Sequence, residues 1–223
     1  MLRVHSEGRQ YAVYDDVFDE DQLRVAQNTV TPNVLTPVLS PINRLHDGLA
    51  FKGTGPRGSL RADLGDLDRN DVVQQLAAHC VRAVGEGVCN EVRTWAYSST
   101  YMAYTAGTQL SWHDDREEDW VGVFSFYLDP WSSQWGGELD ILDCDSSHLP
   151  VRATYDESVL HAPLNATAVF PRINRVVAMK TGTLHRVRRV DQLAGSNVRR
   201  TISGSVWIAE RACDVSMDHN ATT

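Results

Sequence analysis

RTWAYSSTYMAYTAG (93–107) opens a half of the chain in which short runs of β-branched and aromatic residues are separated by turn residues. The runs that follow are VGVFSFYLDP (121–130), GGELDIL (136–142), TAVFPRINRVVAMKTG (167–182), HRVRRV (185–190) and RTISGSVWI (200–208). Runs of this length, divided by glycine, asparagine and aspartate, are the pattern of many antiparallel strands built into a sandwich or barrel. Upstream of Glu91 the texture differs. DDVFDEDQLRVAQNTV (15–30) sets acidic residues ahead of Val17, Phe18, Leu23 and Val25, as where a strand end runs into a helix. In DRNDVVQQLAAHCVRAVGEG (68–87), Val72, Val73, Leu76, Cys80 and Val84 fall at three- and four-residue steps. That spacing predicts a helix capped by Asp68 or Asn70 and stopped by Gly85 or Gly87. The expected fold class is mainly β with N-terminal helices.

Between the two helices, TPNVLTPVLSPINRLHDGLAFKGTGPRGSL (31–60) is rich in proline and glycine and lacks periodicity. It reads as a long loop with short strands at most, either a cover over a site or a surface connection. The tail RACDVSMDHNATT (211–223) is polar. A chain of 223 residues with 42% hydrophobic content is enough for one sizeable core. The expected organisation is one domain, with helical support and loop over 1–90, a strand-rich core over 91–210 and a tail over 211–223.

A net charge of −8 and a pI near 5.4 leave no basic surplus for a phosphate backbone, which argues against nucleic acid as a partner. VGVFSFYL (121–128) is too short to span a bilayer and the N-terminus lacks a secretory apolar run, so the expectation is a cytoplasmic protein without a membrane partner. Cys80, Cys89, Cys144 and Cys213 form no CxxC pair and read as reduced thiols, with no zinc knuckle or disulfide framework.

WHDD (112–115) carries the chemistry. A histidine and an acid two residues apart point to one side of an extended strand and can share a metal, although a lone HxD is a weak signal. TGTLHRVRRV (181–190) supplies a second histidine, His185, after a TG turn. Two histidines and one carboxylate can occupy one face of an octahedral iron and leave three positions for a bidentate co-substrate and dioxygen. Zinc hydrolysis uses similar ligands, so the three residues alone do not decide the chemistry. In NVRRTISGSVW (197–207), Arg199 and Thr201 share a strand face, and an arginine fork beside a hydroxyl suits the far carboxylate of a dicarboxylate such as 2-oxoglutarate. Arg200 points the other way, and a later strand start or a bulge would exchange the two.

From Tyr97 to Trp207, about half of the chain, the sequence resembles the prolyl-hydroxylase-like branch of the 2-oxoglutarate and Fe(II)-dependent dioxygenases. YTAGTQLSWHDD, FSFYLDPW, WGGELDIL, PRINRVVAMKTGTLHRV and RRTISGSVW arrive in that family's order. The resemblance implies a double-stranded β-helix, a cupin-like jelly roll with iron at its mouth. It implies His113 and Asp115 as the HxD ligands and His185 as the distal histidine. Arg199 with Thr201 matches the co-substrate pattern, and Tyr104 sits where the family has a tyrosine on the same carboxylate; a packed aromatic is the alternative reading for Tyr104. Two departures stand out: a longer His185-to-Arg199 gap, read as a longer hairpin, and Met179 where an aromatic is common.

The implied cofactors are Fe(II), 2-oxoglutarate and O2, with ascorbate as a supporting reductant. The implied reaction is oxidative decarboxylation to succinate and CO2, then hydrogen abstraction by an iron(IV)-oxo species and hydroxyl rebound. The carboxylate of Asp115 argues against halogenation, because halogenating members carry a small residue there. The expected substrate is a small molecule, an amino acid derivative or a biosynthetic intermediate, in a compact chain with no recognition module. A peptidyl or protein prolyl hydroxylase is the alternative within the family; a cupin-like binding module or a zinc hydrolase is the alternative outside it.

Trp112, Trp120, Trp131, Trp135 and Trp207 are expected mainly in the core, where an indole buries a large area. Gly136 and Gly137 are expected to form a turn or bulge. Arg116, Arg172, Asn174, Arg175 and Arg186 lie in or beside the motif strands, with Arg172 and Arg186 weak candidates to meet an acidic substrate. His46, His79, His148 and His161 have no ligand partner at suitable spacing. The run DDREED (114–119) lacks the oxygen-ligand and glycine alternation of a calcium loop.

Overall fold

A computed structural model describes residues 3–38, 49–85, 92–117, 119–143 and 166–211. Its strands are β1 (Arg3–Glu7), β2 (Tyr11–Asp15), β3 (Thr36–Pro37), β4 (Ala50–Arg61), β5 (Val92–Tyr104), β6 (Leu110–His113), β7 (Trp120–Tyr127), β8 (Leu139–Leu142), β9 (Ala166–Val169), β10 (Arg175–Lys180), β11 (His185–Val187) and β12 (Arg199–Arg211). Its helices are α1 (Glu20–Thr29) and α2 (Val72–Val84). Among the described residues, eight strands make one antiparallel sheet in the order β1-β2-β10-β7-β12-β5-β4-β3, and four make a second in the order β6-β11-β8-β9. The result is the mainly β, jelly-roll architecture expected from the sequence.

The two faces of the large sheet follow from alternation along its central strands. Trp95, Tyr97 and Tyr101 of β5, Phe124 and Phe126 of β7, and Ile202 and Val206 of β12 form one core with the apolar stripe of α2. That stripe is Val72, Val73, Leu76, Ala77, Cys80, Val81 and Val84, the three- and four-residue rhythm of a helix lying on a sheet. The second core lies between the sheets and joins Tyr104, Val123, Tyr127, Val177 and Met179 to Leu139, Ile141 and Val187.

Helix starts are set by short acidic caps. Asp19 and Gln22 form a reciprocal capping box at α1. At α2 the cap is Asp71, whose carboxylate accepts from the Gln74 amide; Asp68 and Asn70, expected in that role, fall in the turn before it. Gly85 ends the helix as expected.

Three expectations are corrected. Residues 31–60 contain β4, a twelve-residue strand paired with β5 from Ala50↔Tyr104 to Arg61↔Thr94. Its glycines disguised it: a Cβ at Gly53 would stand 2.4 Å from the Val34 carbonyl oxygen, and one at Gly58 would stand 2.5 Å from the Tyr97 hydroxyl. Glycine marks close approach there. The expectation of either a cover or a surface connection falls partly on 39–48, outside the described residues. Secondly, the first ninety residues supply β1 to β4 of the large sheet as well as helical support. Thirdly, the segment after His185 is no hairpin, because β11 belongs to the small sheet and β12 to the large one. The connection crosses between sheets through a bridge at Val190 to Gly136 and a 3₁₀ turn at Gln192–Ala194. Cys80 is buried and unpaired, while Cys89, Cys144 and Cys213 lie outside the described residues.

Asp15 ties β2 to β10. Its carboxylate, 1% exposed, accepts from Arg175 Nε at 2.6 Å and from Arg172 Nη1 at 2.9 Å. Asp15→Ala leaves the buried Arg175 guanidinium without its acid, so the expected loss of stability is about 3–5 kcal/mol. Urea unfolding of the two proteins measures it, and a loss below about 1 kcal/mol would show that the pair is replaceable by solvent.

Candidate active site

β6 and β11 pair with His113 directly opposite His185, which brings the imidazole centroids to 4.1 Å at an interplanar angle of 54°. Each ring is oriented by its own backbone. His113 Nδ1 lies 2.8 Å from the Ser111 carbonyl oxygen and His185 Nδ1 lies 2.8 Å from the Thr183 carbonyl oxygen. A carbonyl only accepts, so each Nδ1–H donates, which leaves each Nε2, on the side of the Asp115 carboxylate, to take either a proton or a metal.

Asp115 completes the group for a different reason than strand alternation. β6 ends at His113, and Asp115 adopts φ +47°, a left-handed conformation that folds its carboxylate back. Its Oδ2 lies 3.4 Å from His185 Nε2 and its Oδ1 lies 3.8 Å from His113 Nε2. Ligand atoms of the three residues all fall within 4.8 Å of one another. Asp114 points away, buried and ion-paired with Arg116 at 3.2 Å, while its carbonyl accepts from the Gly182 amide at 3.0 Å. Gly182 itself has φ +78°, the turn expected before His185.

The electrostatics bind these groups together. Burial pushes the Asp115 carboxyl up, but its hydrogen bond to His185 and the charge of both imidazoles outweigh that and hold it well below the usual carboxylate range. Burial pulls His185 down, and the Asp115 hydrogen bond and charge, with the Thr183 carbonyl, more than reverse it, leaving the imidazole more basic than an ordinary histidine.

Arg199 lies on the large sheet, opposite Tyr104 in register and 4% exposed. Its guanidinium carbon is 4.9 Å from the Tyr127 ring centroid and 5.7 Å from that of Tyr104, and Nη2 donates to the Tyr127 hydroxyl at 3.3 Å. Its Nε is buried without a hydrogen-bond partner, and no acidic side chain pairs with it among the described residues. Arg200, on the other face, is bound by Asp129 at 2.6 and 2.8 Å and by the Val30 carbonyl at 2.7 Å. Thr201 is buried on the Arg199 face, and burial raises the Tyr104 hydroxyl to about 12, so it stays a donor. Gly137, at φ +74°, lets the chain pass Arg199; a Cβ there would stand 3.0 Å from Arg199 Cδ.

His113, Asp115, His185, Arg199, Thr201 and Tyr104 all line one cavity of about 590 Å³ between the sheets. Sequence reasoning overlooked Tyr127, which its register opposite Thr201 would have revealed once the strands were paired. Other expected contacts are structural. Arg172 pairs with Asp15 and Asp16, and Arg175 with Asp15. Asn174 clamps the Phe18 backbone through both its amide atoms. Arg186 pairs with Asp140 and lies over Trp112, on another groove. Trp131 and Trp135 pack edge to face, and Trp120 lines the cavity. In the acidic run, Asp119 pairs with Arg211. His79 lies on α2 with no acidic neighbour raising it; burial takes its pKa down to about 4. His46, His148 and His161 lie outside the described residues.

The donor set suits a first-row metal of the iron type: two neutral imidazole nitrogens and one carboxylate on one side, with the cavity on the other. A buried guanidinium with no acid of its own suits an anionic co-substrate.

The 2OG-Fe(II) oxygenase superfamily model matches residues 99–208. No curated protein sequence matches the chain. Among solved structures, a Pseudomonas putida prolyl-4-hydroxylase is similar at 14% identity and TM-score 0.60, over 91% of this chain and 94% of that one. AviO1 from Streptomyces viridochromogenes Tue57 is similar at 14% identity and TM-score 0.57, over 92% of each chain. The 2-oxoglutarate-dependent epimerase SnoN from nogalamycin biosynthesis is similar at 13% identity and TM-score 0.57, over 91% of this chain and 80% of that one. At these identities the structures share a fold, and the family match adds the chemistry: the chain belongs to the 2OG-Fe(II) oxygenase superfamily and is an Fe(II)- and 2-oxoglutarate-dependent dioxygenase.

Proposed function

We propose that this oxygenase hydroxylates a small molecule, with His113, Asp115 and His185 as metal ligands and Arg199, Thr201 and Tyr104 as the co-substrate site. The observation that carries the reading is the single cavity that all six residues line, of a size that encloses a small ligand. The fold itself serves both a prolyl-4-hydroxylase and an epimerase of nogalamycin biosynthesis, so it does not choose between peptide and small-molecule substrates. A cytoplasmic location belongs to the same reading; no helix among the described residues is long and apolar enough to cross a membrane.

His113 and His185 present Nε2, each fixed by its Nδ1–H bond to a backbone carbonyl, and Asp115 offsets positive charge. Iron(II) held there supplies the dioxygen chemistry that converts 2-oxoglutarate to succinate and CO2 and delivers an oxygen atom to a substrate C–H bond. Arg199 grips the far carboxylate of 2-oxoglutarate, while Tyr104 and Thr201 donate hydroxyl hydrogens to it. Tyr127 accepts from Arg199 and holds the guanidinium in place. Met102, Val123, Leu139, Met179 and Val187 exclude water around these groups.

Three outcomes follow. The purified protein with Fe(II), 2-oxoglutarate and O2 forms succinate, and His113→Ala abolishes both succinate formation and stoichiometric iron binding; an alanine variant that still binds one iron would remove His113 from the ligand set. Arg199→Ala raises the KM for 2-oxoglutarate about 100-fold, the size of a lost buried charge pair, while Arg200→Ala shifts it far less. Because proton and metal compete for the more basic His185, Mn(II) affinity measured by calorimetry tightens as pH rises from about 6 to about 8.5, with proton release. The sign follows from His185 shedding its proton as pH passes its raised pKa while Asp115 is ionised throughout. A Kd unchanged with pH contradicts it.

A further inference from the structure

The cavity face of the large sheet carries hydroxyls where an inter-sheet core ordinarily carries aliphatic side chains. β12 lies between β5 and β7, so each of its inward residues begins a row across three strands. Arg199 faces Tyr104, and Thr201 stands between Met102 and Tyr127. Next along the sheet, Ser203 stands between Thr100 and Ser125, and Ser205 between Ser98 and Val123. Trp207 then stands between Ala96 and Trp120, and the two indoles stack at 6.5 Å and 20°. The opposite face of the same strands presents Trp95, Tyr97, Tyr101, Phe124, Phe126, Ile202 and Val206 to the helix side. The polarity therefore belongs to the cavity, which Ser98, Thr100, Ser125, Ser203 and Ser205 all line together with His113, Asp115 and His185.

These hydroxyls keep capacity for a ligand. Ser125 and Ser203 are 3.0 Å apart, Ser98 and Ser205 are 3.2 Å apart, and Thr201 is 3.4 Å from Ser203. Each contact uses one hydroxyl hydrogen, so the five hydroxyls keep two hydrogens and most of their oxygen lone pairs for a ligand. Thr100 makes no side-chain hydrogen bond among the described residues. Charges, by contrast, lie off the serine rows. Asp115 belongs to the metal group, Arg199 to the co-substrate, and Asp114 and Arg116 pair with each other; the exposed Lys52 and Glu117 also line the cavity, Lys52 in the row of Met102 and Thr201. An amino acid's ammonium and carboxylate, or a charged peptide, would find no free counter-charge along the serine rows, whereas a neutral polyol would find donors and acceptors.

Resting on the iron and 2-oxoglutarate reading of the site, we infer that the substrate is a neutral, hydroxyl-rich ring of the carbohydrate class. Its hydroxyls are held by Ser98, Thr100, Ser125, Ser203 and Ser205, and its apolar ring face lies against Trp120. Oxidation then takes place on a C–H bond of that ring directed at the His113, Asp115 and His185 side of the cavity.

The test measures succinate formation with Fe(II), 2-oxoglutarate and O2, alone and with each of three sets of probes. These are methyl glycosides of hexoses and deoxyhexoses, proline-containing peptides, and free amino acids. The expected result is a rise above the substrate-free rate with one or more glycosides and none with peptides or amino acids. In Ser98→Ala and Ser205→Ala, checked for folding by their melting temperature, the KM for the active glycoside rises about five- to tenfold for each hydroxyl removed, and the KM for 2-oxoglutarate stays within about twofold. Glycosides that leave the substrate-free rate unmoved, or serine variants that leave the glycoside KM unmoved, overturn the inference and leave the oxygenase reading standing. Absence of succinate under every condition, substrate-free turnover included, overturns the oxygenase reading itself.

Discussion

The double ladder of β12, bonded to β5 on one side and β7 on the other, is the constraint on which the rest of the molecule depends. Side chains of a strand alternate between faces, so a fixed register assigns every residue of β12 to one of two environments. Arg199, Thr201, Ser203 and Ser205 go to the cavity; Arg200, Ile202 and Val206 go to the helix side. A slip of one residue would put Arg200 into the cavity and bury Arg199 against α1 and Asp129. Ladders on both edges make such a slip costly, because every backbone bond to two neighbours would have to be remade at once.

The small sheet imposes the complementary constraint. Pairing β6 with β11 sets His113 across from His185, and backbone carbonyls at Ser111 and Thr183 turn both rings the same way. Asp115 reaches them only because the chain leaves the strand in a left-handed turn. The Asp115 carboxylate and the His185 imidazole each favour the other's charged form, so the group concentrates negative potential where the three side chains meet. At the other end of the cavity, Arg199 is a charge buried between two tyrosines with no acidic partner among the described residues. Burying a charge in this way is costly, and an anion from outside relieves the cost.

Much of this was legible in the chain order of motifs. HxD at 113–115, the histidine at 185 and the arginine and threonine at 199 and 201 are chemically distinctive types at readable spacings. Strands β5, β7, β10 and β12 announce themselves through β-branched and aromatic residues. β4 did not, because AFKGTGPRGSLR carries glycine where close contact with Val34 and Tyr97 excludes a side chain, and glycine in isolation signals a loop. The arginines at 172 and 186 were misread for a related reason: their acids, Asp15 and Asp140, are distant in sequence, and only folding brings each pair together.

The sequence by itself determined the kinds of groups available, the two helices, the strand-rich half and the family, because those depend on residue type and local spacing. Tertiary structure alone decided which of two adjacent arginines faces inward, that Asp115 approaches through a turn instead of along a strand, and that β11 and β12 lie in different sheets. It also placed five serine and threonine hydroxyls on the wall opposite the histidines, a feature invisible in a chain where serine is common. The physical reason is the same in each case. Residue type sets what a side chain can do, while register and sheet packing, built from contacts between residues far apart in the chain, set where it does it.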